Sequence, residues 1–177
     1  MVDAILNENL QGKTLLELGT GSGAISISIA QENKDCFIFA TDISIKSILV
    51  AKQNAAKFYC ENIIFLNHDW NNEWLFPQVD YLISNPPYVD KEATSGKEEG
   101  IWHEPEIALF SKDKGLSDLK LILSKGKNFL NENGKVYLEH APDQYEELNK
   151  FAMENGYLNF SNLNDLNGDK RVSIYQC

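Results

Sequence analysis

Long apolar runs are missing from this sequence. No stretch approaches the ~20 consecutive apolar residues that a membrane-spanning helix requires. The start, Met1-Val2-Asp3-Ala4-Ile5-Leu6, also lacks the basic residues and extended apolar segment of a secretion signal. Cysteine is scarce. Cys36, Cys60 and Cys177 form an odd trio without metal-type spacing, which argues against a disulfide framework and for buried thiols in a reducing cytoplasm. Basic residues are outnumbered: 16 Lys and Arg against 26 Asp and Glu leave a formal charge of −10. That balance opposes any partner held mainly through phosphates, because such binding depends on cationic side chains, but it leaves room for a basic protein partner. Repeats and low-complexity tracts are absent as well. What is present is globular. At 177 residues with 43% hydrophobic content, the chain is long enough for one domain spanning 1–177 with a real core.

The elements alternate. Val2 to Leu10 carries apolar residues near helical spacing, and Gly12 can end that turn. Thr14-Leu15-Leu16-Glu17-Leu18 reads as a strand, followed by Gly19-Thr20-Gly21-Ser22-Gly23 and a helix from Ala24 to Gln31. Cys36 to Thr41 is a second strand ending at Asp42. Ser44 is a suitable N-cap for a helix through Phe58, with Ile45, Ile48, Leu49 and Ala56 facing inward. Asn62 to Leu66 makes a third strand, and Val79 to Ile83 a fourth. From Val89 to His103 there is no periodicity; a connection that long reads as a lid or binding loop, or as disorder. A helix follows from Ser117 or Asp118 to Leu130, Gly134 ends that passage, and Val136 to Glu139 is a fifth strand. A helix opened by Pro142 runs to Asn155. Tyr157 to Phe160 and Val172 to Tyr175 read as a closing hairpin. This order predicts an α/β fold: a doubly wound, mostly parallel seven-stranded sheet with an antiparallel C-terminal strand.

The fourth strand stops at Ser84-Asn85-Pro86-Pro87-Tyr88. Neither proline can donate a ladder hydrogen bond, so the strand ends where the asparagine sits. Asn85 is therefore expected at the carboxyl end of the sheet, where open α/β folds bind ligands. Pro87 biases Pro86 toward an extended conformation. The Asn85 side-chain oxygen and the Pro86 carbonyl become two stiff acceptors, with Tyr88 as a wall: a cradle for a flat –NH2 group. A plain Pro-Pro turn leaving a strand has the same local sequence.

The glycine loop lets backbone approach a ligand closely. Gly19-x-Gly21-x-x-Ala24 also fits the looser dinucleotide fingerprint, so the loop alone leaves NAD open. Asp42, about 20 residues on, suits a pair of ribose hydroxyls. Glu17 adds a carboxylate where a dinucleotide would bring pyrophosphate, and so favours a cationic ligand. S-adenosylmethionine carries a sulfonium and an ammonium and no phosphate. Asp69 and Trp70 would lie beside an adenine, the carboxylate accepting from its amine and the indole packing on the ring. His68 and His140 read as ordinary neighbours, and no cluster of His, Cys or carboxylates suggests a metal.

Taken together, the motifs Glu17 to Ala24, Asp42, Asp69-Trp70, Ser84 to Val89, Glu104-Pro105 with Ala108-Leu109, Gly115-Leu116, Leu138-Glu139-His140 with Gln144, and Asp165 to Arg171 resemble class I S-adenosylmethionine-dependent methyltransferases. More narrowly, the chain is similar to the HemK/PrmC-type glutamine methyltransferases, which modify peptide-chain release factors. The resemblance implies a Rossmann-like catalytic domain that moves a methyl group to the N5 amide nitrogen of a glutamine in a release factor, in the cytoplasm. It implies cofactor contacts from Glu17, Gly19, Thr20, Gly21, Ser22, Gly23, Asp42, Asp69, Trp70 and Asn85. It also implies that Asn85, Pro86, Pro87 and Tyr88 hold the acceptor, with Asn85, Pro86 and Tyr88 as the catalytic set. The family's N-terminal helical domain and its Pro-Arg-x-x-Thr-Glu linker have no counterpart here, and His103 stands where an aromatic residue usually precedes Glu-Pro. Other readings share part of the pattern: an N-methyltransferase for an exocyclic base amine, a domain that binds cofactor without turnover, and a dehydrogenase.

Overall fold

A computed structural model of the chain describes residues 1–90, 110–111, 113 and 115–177. Helix α1 (Val2–Leu6) is shorter than its apolar pattern suggests, and it leads to strand β1 (Thr14–Leu18). Helix α2 (Ala24–Glu32), strand β2 (Phe37–Asp42), helix α3 (Ile45–Lys57), strand β3 (Ile63–Asn67) and strand β4 (Val79–Ser84) complete the first half. Two short strands, β5 (Val89–Asp90) and β6 (Phe110–Ser111), pair in parallel as a separate two-stranded sheet. Helix α4 (Ser117–Gly126), strand β7 (Leu130–Glu139), helix α5 (Tyr145–Glu154) and strands β8 (Asn159–Asn164) and β9 (Lys170–Gln176) follow. The expected loop through His103, and the Glu104-Pro105 and Ala108-Leu109 segments, lie outside the described residues.

The main sheet has seven strands in the order β3-β2-β1-β4-β7-β9-β8. Strands β3, β2, β1, β4 and β7 are mutually parallel, while β9 runs antiparallel to both β7 and β8. The expected fold class and closing hairpin are therefore present. Because helices cover both faces, the central strands are apolar at successive positions instead of alternating. Leu15, Ile38, Tyr81, Ile83 and Tyr137 pack toward α1 and α2. Leu16, Leu18, Leu82, Val136 and Leu138 pack toward Leu119, Ile122 and Leu123 of α4 and Leu148 and Ala152 of α5. Among the described residues, no helix is long and apolar enough to cross a membrane. All three cysteines are free.

Three expectations are corrected. Helix α3 buries Ile48, Ala51 and Ala55, whereas Ile45 and Leu49 are each 54% exposed and Ala56 faces out. The helix turns its small residues inward because it crosses the glycine loop, where an added Cβ on Gly23 would lie 3.1 Å from the Ala51 methyl. Gly134 does not end a passage before the fifth strand: β7 starts at Leu130 and runs through it, and its pairing with β4 shifts register between Val79 and Tyr81. The helix read as ending at Leu130 stops at Gly126, and a 3-10 turn over Lys127–Phe129 links it to β7.

Gly126 marks the close crossing of α4 on β4. Its backbone is helical, φ −56° and ψ −37°, so alanine would gain roughly 1 kcal/mol of helix propensity there. An added Cβ, however, would overlap Leu82 Cδ2 in a fully buried part of the core. Overpacking costs about 1–3 kcal/mol and outweighs that gain. Gly126→Ala is expected to lower the urea midpoint with an unchanged slope; a higher midpoint would show that the crossing has slack.

Candidate functional site

Parallel register collects the sequence motifs on one edge. Leu18 pairs with Thr41 on one side and with Ser84 on the other, Asp42 pairs with Asn67, and Ser84 pairs with Leu138. The residues that leave these strands, Gly19, Asp42, His68, Asn85 and Glu139, therefore emerge side by side. Neighbouring strands lie only about 5 Å apart.

The glycine loop is pinned from below. The backbone N–H groups of Gly19 and Thr20 both donate to the Thr41 carbonyl, at 2.9 and 2.8 Å. The Gly21 N–H donates to Asp42 Oδ2 at 2.9 Å, and Asp42 Oδ1 accepts from the Ser44 N–H at 2.8 Å. Asn54 of α3 donates to the Ser22 carbonyl at 2.9 Å. Gly23 opens α2 with φ +84°, a conformation that side chains resist, and its Cβ would meet Ile27 Cδ1 at 2.8 Å. A Cβ on Gly21 would meet nothing within 4 Å, so the loop presents its bare backbone to open space at that residue.

Glu17 lies beneath this loop, not on it. It is 1% exposed, and its Oε2 accepts hydrogen bonds from the Thr20 hydroxyl, at 2.7 Å, and from the Ser26 hydroxyl. Burial pushes its carboxyl above the usual range, against the pull of those donors, and nearby Asp42 adds to the rise. Glu17 and Thr20, both expected at the cofactor, turn their side chains inward here and join strand, loop and helix. Neutral partners suffice because the raised pKa favours the protonated acid, which needs no counter-ion.

The Asp69-Trp70 turn borders the loop. The Trp70 ring lies against Gly19, where an added Cβ would sit 3.2 Å from it. Its Nε1–H donates to Asp118 Oδ1 on α4 at 3.2 Å. Asp69 Oδ1 accepts from both the Asn71 N–H, at 2.9 Å, and the Asn71 side-chain amide, at 2.8 Å, which closes its own turn. The sequence reading did not foresee what fixes this turn. Lys125 donates at 2.9 Å to each of the carbonyls of Trp70, Asn71 and Asn72, and Trp74 Nε1 donates to the Trp70 carbonyl at 2.8 Å. His68 packs edge-on against Phe76 at 5.0 Å, and burial lowers its pKa.

On the other side of β1, Asn85 is exposed and its side chain makes no hydrogen bond to another described residue, while Ser84, Pro86 and Pro87 are buried. The Ser84 hydroxyl donates to the Leu18 carbonyl at 2.8 Å and ties the end of β4 to the start of the glycine loop. Tyr88 is half-buried, and its hydroxyl donates to Glu139 Oε1 at 3.1 Å. Burial, reinforced by that carboxylate, pushes the Tyr88 phenol up and keeps it a donor. Arg171, tied to Asp165 Oδ2 at 3.1 Å, faces the same pair. His140 is fully buried between the Ala141 carbonyl and the Ser173 hydroxyl, each at 2.8 Å. The Asp-Leu-Asn-Gly-Asp-Lys-Arg tail was legible as a motif, but its approach to Tyr88 was not, because a hairpin's fold-back is set by β9 pairing with β7.

Lys125 offers a direct check on the rigidity of the Trp70 side. Lys125→Met removes a charged donor from three carbonyls. It is expected to cost about 2 kcal/mol in chemical denaturation and to speed amide exchange across 70–72. Unchanged exchange there would show that Trp74 and Asp118 suffice.

Comparison with known proteins identifies relatives of the chain and of its fold. The methyltransferase small domain family matches residues 2–104. A bifunctional methyltransferase of Rickettsia felis is 39% identical over 163 residues, covering 91% of this chain and 31% of that protein. Release factor glutamine methyltransferases of Aliivibrio fischeri and Escherichia coli are 33% and 32% identical, covering 93% and 90% of this chain and 58% of each relative. The chain thus spans less than two thirds of the length of these curated relatives. A crystal structure of a methyltransferase from Pyrococcus furiosus has the same fold, with a TM-score of 0.71 at 20% identity over 98% of this chain and 80% of that one. The resemblance read from the glycine loop and the Asn-Pro-Pro-Tyr segment is matched by these relatives, and a family match over more than half of the 177 residues places it: the chain belongs to the methyltransferase small domain family.

Proposed function

We propose that this domain transfers a methyl group from S-adenosylmethionine to the N5 amide nitrogen of a glutamine in a protein, and that the protein is a peptide-chain release factor. One observation carries the reading: the register Leu18 to Ser84 sets the glycine loop beside an exposed Asn85 whose amide is not engaged by another described residue. A cofactor platform and a free acceptor thus adjoin on one sheet edge. The names of the relatives from Aliivibrio fischeri and Escherichia coli support the choice of substrate.

The residues present fit the cofactor. Gly21 leaves its side open, and the Asp42 carboxylate at the strand end gives the platform an acidic group that suits a sulfonium and ribose hydroxyls better than a pyrophosphate. Asp42 Oδ2 already holds the loop and Oδ1 the start of α3, yet each carboxylate oxygen can accept more than one donor, so ribose hydroxyls can be added to the backbone bonds. Gly19, Gly21, Ser22, Gly23, Asp42, Asp69, Trp70 and Asn85 would line the cofactor, with Thr20 contributing backbone only. When bound, S-adenosylmethionine supplies an electrophilic methyl on sulfur.

An amide nitrogen is a poor nucleophile because its lone pair is delocalised into the carbonyl, so the protein's task is positioning more than proton abstraction. Asn85 Oδ1 and the Pro86 carbonyl would accept the two N–H bonds of the glutamine amide, raise electron density on nitrogen and hold its plane. Pro86 and Pro87, both buried, make that arrangement stiff. Tyr88 would flank the amide. Once nitrogen has gained carbon, its proton is acidic and leaves without a dedicated base.

Asn85→Ala is expected to reduce transfer to release factor by at least about 100-fold, as when one member of a preorganised hydrogen-bonding site is removed, while S-adenosylmethionine affinity measured by calorimetry falls far less, since Asn85 is one of several residues that would line the cofactor. Wild-type turnover by that variant would remove Asn85 from the acceptor site. Label appearing on nucleic acid and not on release factor would redirect the substrate, and tight NAD binding without S-adenosylmethionine binding would end the cofactor assignment.

A further inference from the structure

We propose that Gln144 is a positioning residue that sets Tyr88 for the acceptor amide; the inference rests on the reading of Asn85 to Tyr88 as the acceptor site. Gln144 closes the 3-10 turn Pro142–Gln144 that follows β7, and it is 6% exposed. Its two amide atoms do different work. Oε1 accepts from the Ala141 N–H at 2.9 Å, which closes the turn locally. Nε2 donates at 2.8 Å to the Tyr88 carbonyl, 56 residues away in sequence. The second bond does nothing for the turn; it fixes the backbone one residue past the prolines.

Two further observations make this contact specific. Gly115, at φ +82°, leads into α4 directly beside it, and an added Cβ would fall on both the Tyr88 carbonyl and Gln144 Nε2. The chain has kept that space empty of side chain so that the bond can form. At the other end of the residue, the Tyr88 hydroxyl donates to Glu139 Oε1 at 3.1 Å, and Glu139 ends the strand that leads to Gln144. Tyr88 is thus gripped at its carbonyl and at its hydroxyl by one continuous stretch, Glu139 to Gln144. A ring anchored at its hydroxyl, on a backbone fixed at its carbonyl, has less room to swing, which is what a wall for a planar amide requires.

The chemistry at Nε2 is selective. Only a donor can meet a carbonyl, so a carboxylate of the same shape would keep the bond from Ala141 and turn the contact with Tyr88 repulsive. Gln144→Glu separates the two roles for that reason, and Gln144→Met, which loses both, serves as the control for packing. The readouts are amide exchange across residues 84–90 in the free protein and a KM-against-kcat analysis with release factor as acceptor. Gln144→Glu is expected to speed exchange across 84–90 and to lower kcat/KM for the acceptor about tenfold, the worth of one buried hydrogen bond, with S-adenosylmethionine affinity within about twofold of wild type. Unchanged exchange together with unchanged acceptor kinetics would overturn the inference. Cofactor affinity falling as far as acceptor kinetics would also overturn it, since that pattern belongs to general loosening. If wild-type protein labels no release factor, the functional reading fails, and the exchange measurement still decides whether Gln144 holds Tyr88.

Discussion

A carboxyl group taken out of water at the end of β1 underlies the proposed cofactor half of the site. Glu17 accepts from the hydroxyls of Thr20 in the glycine loop and Ser26 in α2, so strand, loop and helix meet on one side chain. An ionised group buried without donors would be costly, and the hydroxyls arrive only if the loop turns tightly enough to bring them. The glycines allow that turn, the Thr41 carbonyl and Asp42 carboxylate hold its N–H groups, and small residues on α3 let the helix close over it. Loop shape and carboxylate placement are one condition met from two sides.

The proposed acceptor half is assembled differently. Asn85 to Tyr88 leave β4 as a stiff segment, and the parts that secure it come from far along the chain: Gly115 before α4, Glu139 and Gln144 after β7, and Arg171 on β9. Antiparallel addition of β9 beside β7 carries the Asp165–Arg171 pair to Tyr88. A family-like tail sequence thereby takes on a spatial role at the Asn-Pro-Pro-Tyr segment.

Local chemistry was readable where it acts over a few residues. The glycine loop, Asp42 at a strand end, the Ser44 cap that accepts from Ser47, and the proline stop after Ser84 all follow from backbone requirements visible in the sequence. Features set by packing were not. Ile45 and Leu49 looked like core residues, yet α3 rotates to put Ala51 against Gly23. Glu17 read as a ligand group because its position beside the glycines is evident and its direction is not: both faces of β1 are covered, and Glu17 points with Leu15 to the side of α2. Lys125 carried no signal, and Gln144 stood out only as part of a motif without a role, since a lysine capping three carbonyls and a glutamine reaching across 56 residues acquire meaning only in three dimensions.

Helix α4 touches both halves. Asp118 in its first turn holds the Trp70 indole, Lys125 in its last turn holds the carbonyls of residues 70–72, and Gly115 just ahead of it sits against the Tyr88 carbonyl. With Gly126 seated hard on Leu82, the helix has little freedom to slide along the sheet. It works as a strut of fixed length between the proposed donor and acceptor subsites. Under that proposal, the spacing over which a methyl group would travel is a property of the fold, in place before either ligand arrives.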